Sequence, residues 1–167
     1  VTEKAVREAF KAFDGVIEQT PPKYSALLID GKRAYDLARA GEDFEIKPRR
    51  VTIYDRTITG IDLEKGEIEF DVTCSKGTYI RTICDDVGRA LGCGAVMTAL
   101  TRTGSGFFRI EDSHTIEEVI DAAEDTEKLN KIIISPEITL EKLGKAILDN
   151  KRVTAFMNGN STWSRGF

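Results

Sequence analysis

The chain has 167 residues with a formal net charge of −4 at pH 7, and 41% of its residues are hydrophobic. This length fits one domain, or one domain with part of a second, and no apolar run is long enough to cross a membrane. Three cysteines without paired motif spacing argue against a disulfide scaffold and a zinc site, and favour reduced thiols in the cytoplasm.

The first part of the chain alternates short helices and strands. Residues 1–13 are predicted to form a helix with Thr2 as its N-cap, and residues 16–19 a short strand. Two prolines then stiffen the chain before a strand over residues 24–29 and a helix over residues 34–40.

Basic residues concentrate in this part although the net charge is negative. Such a local face either binds phosphates or is an ordinary solvated surface of mixed charge. Its members are Lys23, Lys32, Arg33, Arg39, Lys47, Arg49 and Arg50.

A strand, a turn and a helix then meet at residues 74–82. Residues 67–74 alternate apolar and polar side chains, and residues 49–61 contain several β-branched residues, which together predict a β-hairpin. Gly77 allows a turn that other residues disfavour, Thr78 is a candidate N-cap, and an amphipathic helix follows up to Leu91. Junctions between strand ends and helix starts commonly carry binding and catalytic groups.

Arg81 falls in the first turn of that helix, where the helix dipole disfavours a cation by about 0.3–1 kcal/mol. Its partner is either Asp85, four residues further on, or a group outside the helix such as another carboxylate or an RNA phosphate. The spacing alone leaves both open.

The remaining elements are shorter. We predict a buried strand over residues 95–100, a helix over 116–123, a charged connector, a short helix over 140–148 and a strand over 153–157. The expected fold class is α+β, with a mixed, mostly antiparallel sheet and flanking helices.

Several motifs occur together and in one order. This set closely resembles the bacterial TruB family of tRNA pseudouridine synthases over about residues 1–120, with a weaker match beyond. The matching segments are FDG at 13–15, QTPPKYSA at 19–26, GKRAYDLARAG at 31–41, CSKGTYIRT at 74–82, DVG at 86–88, LGCGA at 91–95 and LTR at 100–102.

The resemblance implies an isomerase that converts a T-loop uridine, uridine 55 of tRNA, to pseudouridine without a cofactor or metal. It implies two parts: residues 1–124 as the C-terminal part of the catalytic domain, and residues 125–167 as a linker with the start of a small PUA-like β unit. The implied partner is the T-arm stem-loop of tRNA; no membrane and no protein partner is expected for the intact enzyme.

The sequence departs from the family in one respect that matters for chemistry. The family's catalytic aspartate lies in a Leu-Asp-Pro motif, which this chain does not contain. We therefore expect a C-terminal fragment of the enzyme, inactive alone, whose uncovered sheet edge favours self-association.

The resemblance also implies roles for individual residues. Arg81 pairs with the missing aspartate, since an Arg fork fixes a carboxylate through two hydrogen bonds, and Tyr79 forms a wall of the base pocket. The implied substrate-binding residues, each with core packing or solvated surface as the alternative, are Leu100, Tyr24, Lys76 and Arg102.

Two other functions stay open. A non-catalytic RNA-binding module would need no aspartate. A thiol enzyme using Cys74 would need a base, and the only histidine, His114, lies in a distant segment.

Overall fold

The structure is a computed structural model that describes residues 1–145 and 147–160, with no description of the Lys151 side chain. The chain divides into two compact units, Val1–Thr101 and a second that begins at Arg102. The first unit contains α1 (Glu3–Phe10), β1 (Gly15–Gln19), β2 (Leu28–Ile29), β3 (Lys32–Arg33), α2 (Ala34–Arg39), β4 (Arg49–Asp62), β5 (Glu67–Cys74) and α3 (Ile80–Ala90).

An antiparallel sheet in the order β1-β4-β5 organises the first unit. The predicted hairpin is confirmed, because β4 and β5 pair along their length and Gly66 takes a positive φ in the turn. On the other side of β4, the last residue of β1, Gln19, lies opposite Arg49. β5 is an edge strand in the described part of the chain.

The core lies between this sheet and two helices. Val6 and Phe10 of α1 are fully buried, and the Phe10 ring meets Phe70 of β5 edge-on with 4.9 Å between centroids. From α3, Ile83 and Val87 enter the same cluster. The start of α1 is as predicted, since Thr2 Oγ1 accepts a hydrogen bond from the Ala5 amide at 3.2 Å. The core thus fixes α3 against the sheet at the end of β5.

The second unit contains a two-stranded ribbon and short helices. The helix predicted over residues 116–123 is confirmed, and Thr115 and Glu118 form a capping box at its start. The elements are β6 (Gly104–Ser105), β7 (Phe108–Arg109), a 3₁₀ turn (Ile110–Asp112), α4 (Ile116–Ala123), α5 (Thr126–Ile132), a second 3₁₀ turn (Pro136–Leu140) and α6 (Asn150–Met157).

The mixed α+β class is confirmed, but two predictions in the second unit are wrong. Residues 153–157 belong to helix α6, which Asp149 caps by accepting from the Arg152 amide at 2.9 Å. The predicted helix over 140–148 does not form in the described residues: a 3₁₀ turn ends at Leu140, and residues 141–145 and 147–148 are not helical. The described residues therefore show no strand for a PUA-like unit after β7, and residues 161–167 lie outside the described residues.

Two strand predictions in the first unit also fail. Only Leu28–Ile29 of the predicted strand over 24–29 pairs, with β3. Residues 95–100 form no strand, and Val96 is 81% exposed. A strand needs a neighbouring strand to pair with, and the length and composition of a short apolar run do not show whether one is present. Such a run is therefore a poor predictor of a buried strand. None of the helices in the described residues is long and apolar enough to cross a membrane.

Candidate functional site

The strand–turn–helix junction forms as predicted, and Ser75 ties it to the sheet. Ser75 Oγ accepts from the Thr52 amide at 2.9 Å, and the Ser75 amide donates to the Thr52 carbonyl at 2.8 Å. Gly77 takes a φ of +85° in the turn. Thr78 is not the N-cap: its hydroxyl donates back to the Ser75 carbonyl at 2.9 Å, and Tyr79 occupies the cap position without a side-chain cap bond.

Gln19 binds the backbone of this N-cap residue through both ends of its side-chain amide. Its Oε1 accepts from the Tyr79 amide at 2.7 Å, and its Nε2 donates to the Tyr79 carbonyl at 3.1 Å. Gln19 is 2% exposed. Both polar ends of this buried amide are thereby hydrogen-bonded. The N-cap residue of α3, Tyr79, is held by a residue that lies 60 positions earlier in the chain.

Arg49 holds the other side of Tyr79. Its guanidinium lies 5.1 Å from the centroid of the Tyr79 ring, and its Nη2 donates to the Gly77 carbonyl at 2.5 Å. A cation over an aromatic face at this distance is attracted by the ring quadrupole. Arg49 was counted among the basic residues of the sequence, but nothing in the sequence indicated that it contacts this turn.

Arg81 does not pair with Asp85. Its Nη2 donates to the backbone carbonyl of Tyr24 at 3.0 Å, while Asp85 forms its ion pair with Arg89. The first turn of α3 contains no acidic residue, and no carboxylate in residues 1–145 or 147–160 forms an ion pair with Arg81. Arg81 is exposed, and apart from this hydrogen bond to Tyr24 its donors are available to solvent or to another group.

The structure brings Tyr24, Tyr79 and Arg81 together at the start of α3. Tyr24 and Leu100 are 59% and 60% exposed, so neither packs in the core of this chain. Lys76 is exposed in the same turn; neither it nor Leu100 is joined to the other three by a hydrogen bond or ion pair in the described part of the chain. Arg102 is exposed and belongs to the second unit.

Aromatic rings, arginines and backbone carbonyls dominate this site, and metal-binding groups do not. Within the described ranges, no group of three or more His, Cys, Asp or Glu residues could hold a metal ion. The cysteines Cys74, Cys84 and Cys93 are free thiols, and burial raises the pKa of Cys84. The arrangement can orient an anion at Arg81 and a planar group beside Tyr79.

Asp86 on α3 gives a pH-dependent prediction. Partial burial raises its pKa above the ordinary value of 3.8, nearby Arg89 opposes the rise, and Asp85 adds to it. Because folding favours the protonated form, the contribution of Asp86 to stability is complete below the unfolded pKa and is lost as pH rises through the folded pKa. We expect Asp86→Asn to unfold at higher denaturant concentration than the wild type near pH 7, with a smaller difference below pH 3.8. Parallel stability profiles in urea across this range would contradict the assignment.

The fold of this chain has a counterpart among solved structures. A crystal structure of a Cbf5-Nop10-Gar1 complex matches 95% of this chain with a TM-score of 0.72 and 30% sequence identity, and the match covers 45% of that chain. The chain thus shares its fold with a chain of that complex.

Family profiles then give the particular family. The profile described as TruB family pseudouridylate synthase (N terminal domain) matches residues 1–80, and that of the tRNA pseudouridylate synthase B C-terminal domain matches residues 81–151. The chain belongs to the TruB family of pseudouridylate synthases.

Curated relatives agree with this assignment. The tRNA pseudouridine synthase B of Alkaliphilus oremlandii is 43% identical over 159 residues, which is 95% of this chain and 51% of the relative. That of Clostridium kluyveri is 40% identical over 164 residues, covering 98% of this chain and 54% of the relative. The chain spans about half the length of the curated relatives it matches.

Proposed function

We propose that this chain forms the Arg81 and Tyr79 side of the active site of a tRNA pseudouridine synthase, which isomerises a T-loop uridine to pseudouridine. The observation that carries this proposal is the environment of Arg81. Arg81 lies in the first turn of α3, donates to a backbone carbonyl and has no carboxylate partner in the described residues. The names of the relatives support the reaction.

In this proposal Arg81 binds the carboxylate of the nucleophilic aspartate, which this chain does not contain. An Arg–carboxylate pair holds the nucleophile in one orientation and stabilises its charged form. Tyr79, fixed from both sides by Gln19 and Arg49, forms a wall against which the flipped base packs. Exposed Leu100 gives the base a further apolar contact.

The partner in this proposal is the T-arm stem-loop of tRNA. Tyr24, Lys76 and Arg102 are exposed and are proposed to contact its sugar–phosphate backbone.

The protein acts in the cytoplasm. Residues 1–124 belong to the catalytic domain and 125–167 to a linker and RNA-binding module. Until another strand covers the edge of β5, copies of the chain self-associate through it.

The test compares the chain alone with a complemented enzyme. In the complemented enzyme, the part of the Alkaliphilus oremlandii relative that this chain does not span is fused to this chain. We expect the complemented enzyme to form pseudouridine in a T-arm stem-loop, and the chain alone to form none while retaining salt-dependent RNA binding.

Two outcomes would contradict the proposal. Turnover by the chain alone would show that an upstream aspartate is not required. A folded complemented enzyme that binds the stem-loop but forms no pseudouridine would favour an RNA-binding module without catalysis.

A further inference from the structure

A single segment of chain touches the start of α3 at two points. At one end, the Gln19 amide makes both hydrogen bonds to the Tyr79 backbone. Five residues later, the Tyr24 carbonyl accepts from Arg81. We call residues 19–24 the strap, since this segment links the edge strand β1 to the Tyr79 backbone and the Arg81 side chain.

The strap is stiff. It contains Pro21 and Pro22 in succession, and Pro21 is buried. Proline fixes φ and removes a backbone donor, so these two residues restrict the conformations open to the segment between the two contacts. At its first end the strap is set by β1, where Gln19 is the last residue paired with β4. The position of the Tyr24 carbonyl therefore depends on where Gln19 is held.

Gln19 is also an unusual residue for its place. A side-chain amide with 2% exposure loses its hydration, and only full hydrogen bonding compensates. A buried apolar side chain would fill the same space without the requirement for two polar partners. Its two hydrogen bonds go to the backbone of Tyr79. Gln19 therefore aligns the main chain that carries the Tyr79 and Arg81 side chains, while its own side chain does not reach the proposed site.

We infer that Gln19 is a positioning residue for catalysis: its buried amide holds the N-cap residue of α3, Tyr79, so that Arg81 and Tyr79 face the substrate. This inference rests on the proposed function. Gln19→Met keeps the length and volume of the side chain but removes both hydrogen bonds. Because misplacement of reacting groups by about 1 Å can cost 10²-fold, we expect kcat to fall roughly 10- to 100-fold. KM for the stem-loop should change little, since Gln19 is buried away from RNA.

The matched control is Val6→Ala. Val6 is fully buried in the cluster that contains Ile83 of α3, so its truncation lowers stability without touching the strap. Both variants are assayed in the complemented enzyme at a temperature where both are folded. We expect Val6→Ala to retain wild-type kcat.

A second measurement on this chain does not depend on activity. Amide hydrogen exchange at Tyr79, relative to β4 amides, should be at least about tenfold faster in Gln19→Met and unchanged in Val6→Ala. Equal relative exchange at Tyr79 in wild type and Gln19→Met would overturn the inference, as would equal losses of kcat in the two variants. If the complemented enzyme forms no pseudouridine, the proposed function fails, and exchange at Tyr79 still decides whether Gln19 holds the helix start.

Discussion

Arg81→Ala in the complemented enzyme is expected to lower kcat/KM for a T-arm stem-loop by about 10²- to 10³-fold, the loss seen when one preorganised charge-stabilising donor is removed. The physical reason is the unpaired carboxylate that remains at the reacting centre. Arg81→Lys should recover only part of this loss, because an ammonium keeps the charge but not the planar fork.

Arg89→Ala is the matched control on the same helix. Arg89 is an exposed arginine whose partner is Asp85, four residues earlier, and such pairs contribute about 0.2–0.5 kcal/mol. Its removal should leave kcat/KM unchanged. Near-normal turnover of Arg81→Ala, or equal losses in both variants, would refute the role of Arg81.

Gly88→Ala is expected to destabilise the first unit by about 3 kcal/mol, at the upper end of the cost of overpacking a close-packed interior. A Cβ at this buried position would lie 2.2 Å from the Ala95 nitrogen and 2.3 Å from the Gly94 carbonyl carbon. These are backbone atoms of the chain that crosses α3, and the Gly94 amide donates to the Gly88 carbonyl at 3.0 Å. Elsewhere in a helix interior, glycine to alanine would stabilise by about 0.5–1 kcal/mol. The predicted sign is therefore opposite to helix propensity.

Urea unfolding of wild type, Gly88→Ala and Gly60→Ala measures this effect. Gly60 in β4 is the control because a Cβ there meets only the Glu69 side chain, at 3.3 Å, which is flexible at its carboxylate end. We expect a lower midpoint for Gly88→Ala and a small change for Gly60→Ala. A Gly88→Ala midpoint equal to or above that of the wild type would show that residues 94–95 do not pack on α3.

Periodicity was enough to predict the elements that carry the site. The β-branched residues of β4, the alternation in β5, the glycine turn and the amphipathic face of α3 are local patterns, and each leads to the observed element. The unfavourable position of Arg81 on the helix dipole was also readable from the sequence, and Asp85 proved not to be its partner.

What local patterns could not give is the set of long-range contacts. Gln19 reaches Tyr79 across 60 positions and Arg49 reaches Gly77 across 28, and neither spacing has a sequence signature. A polar residue that ends a strand just before two prolines was the only signal for Gln19. The strand predicted over residues 153–157 is wrong because its apolar residues are compatible with either a strand or a helix. Asp149, which caps α6, favours the helix.

The most direct test of the central claim, that Arg81 binds a carboxylate supplied from outside this chain, is a crystal structure of the complemented enzyme. We predict that the aspartate of the Leu-Asp-Pro motif lies within about 3 Å of the Arg81 guanidinium, as in charge-assisted pairs. A carboxylate beyond ion-pair distance, with Arg81 bound only to the Tyr24 carbonyl as it is in this chain, would contradict the claim.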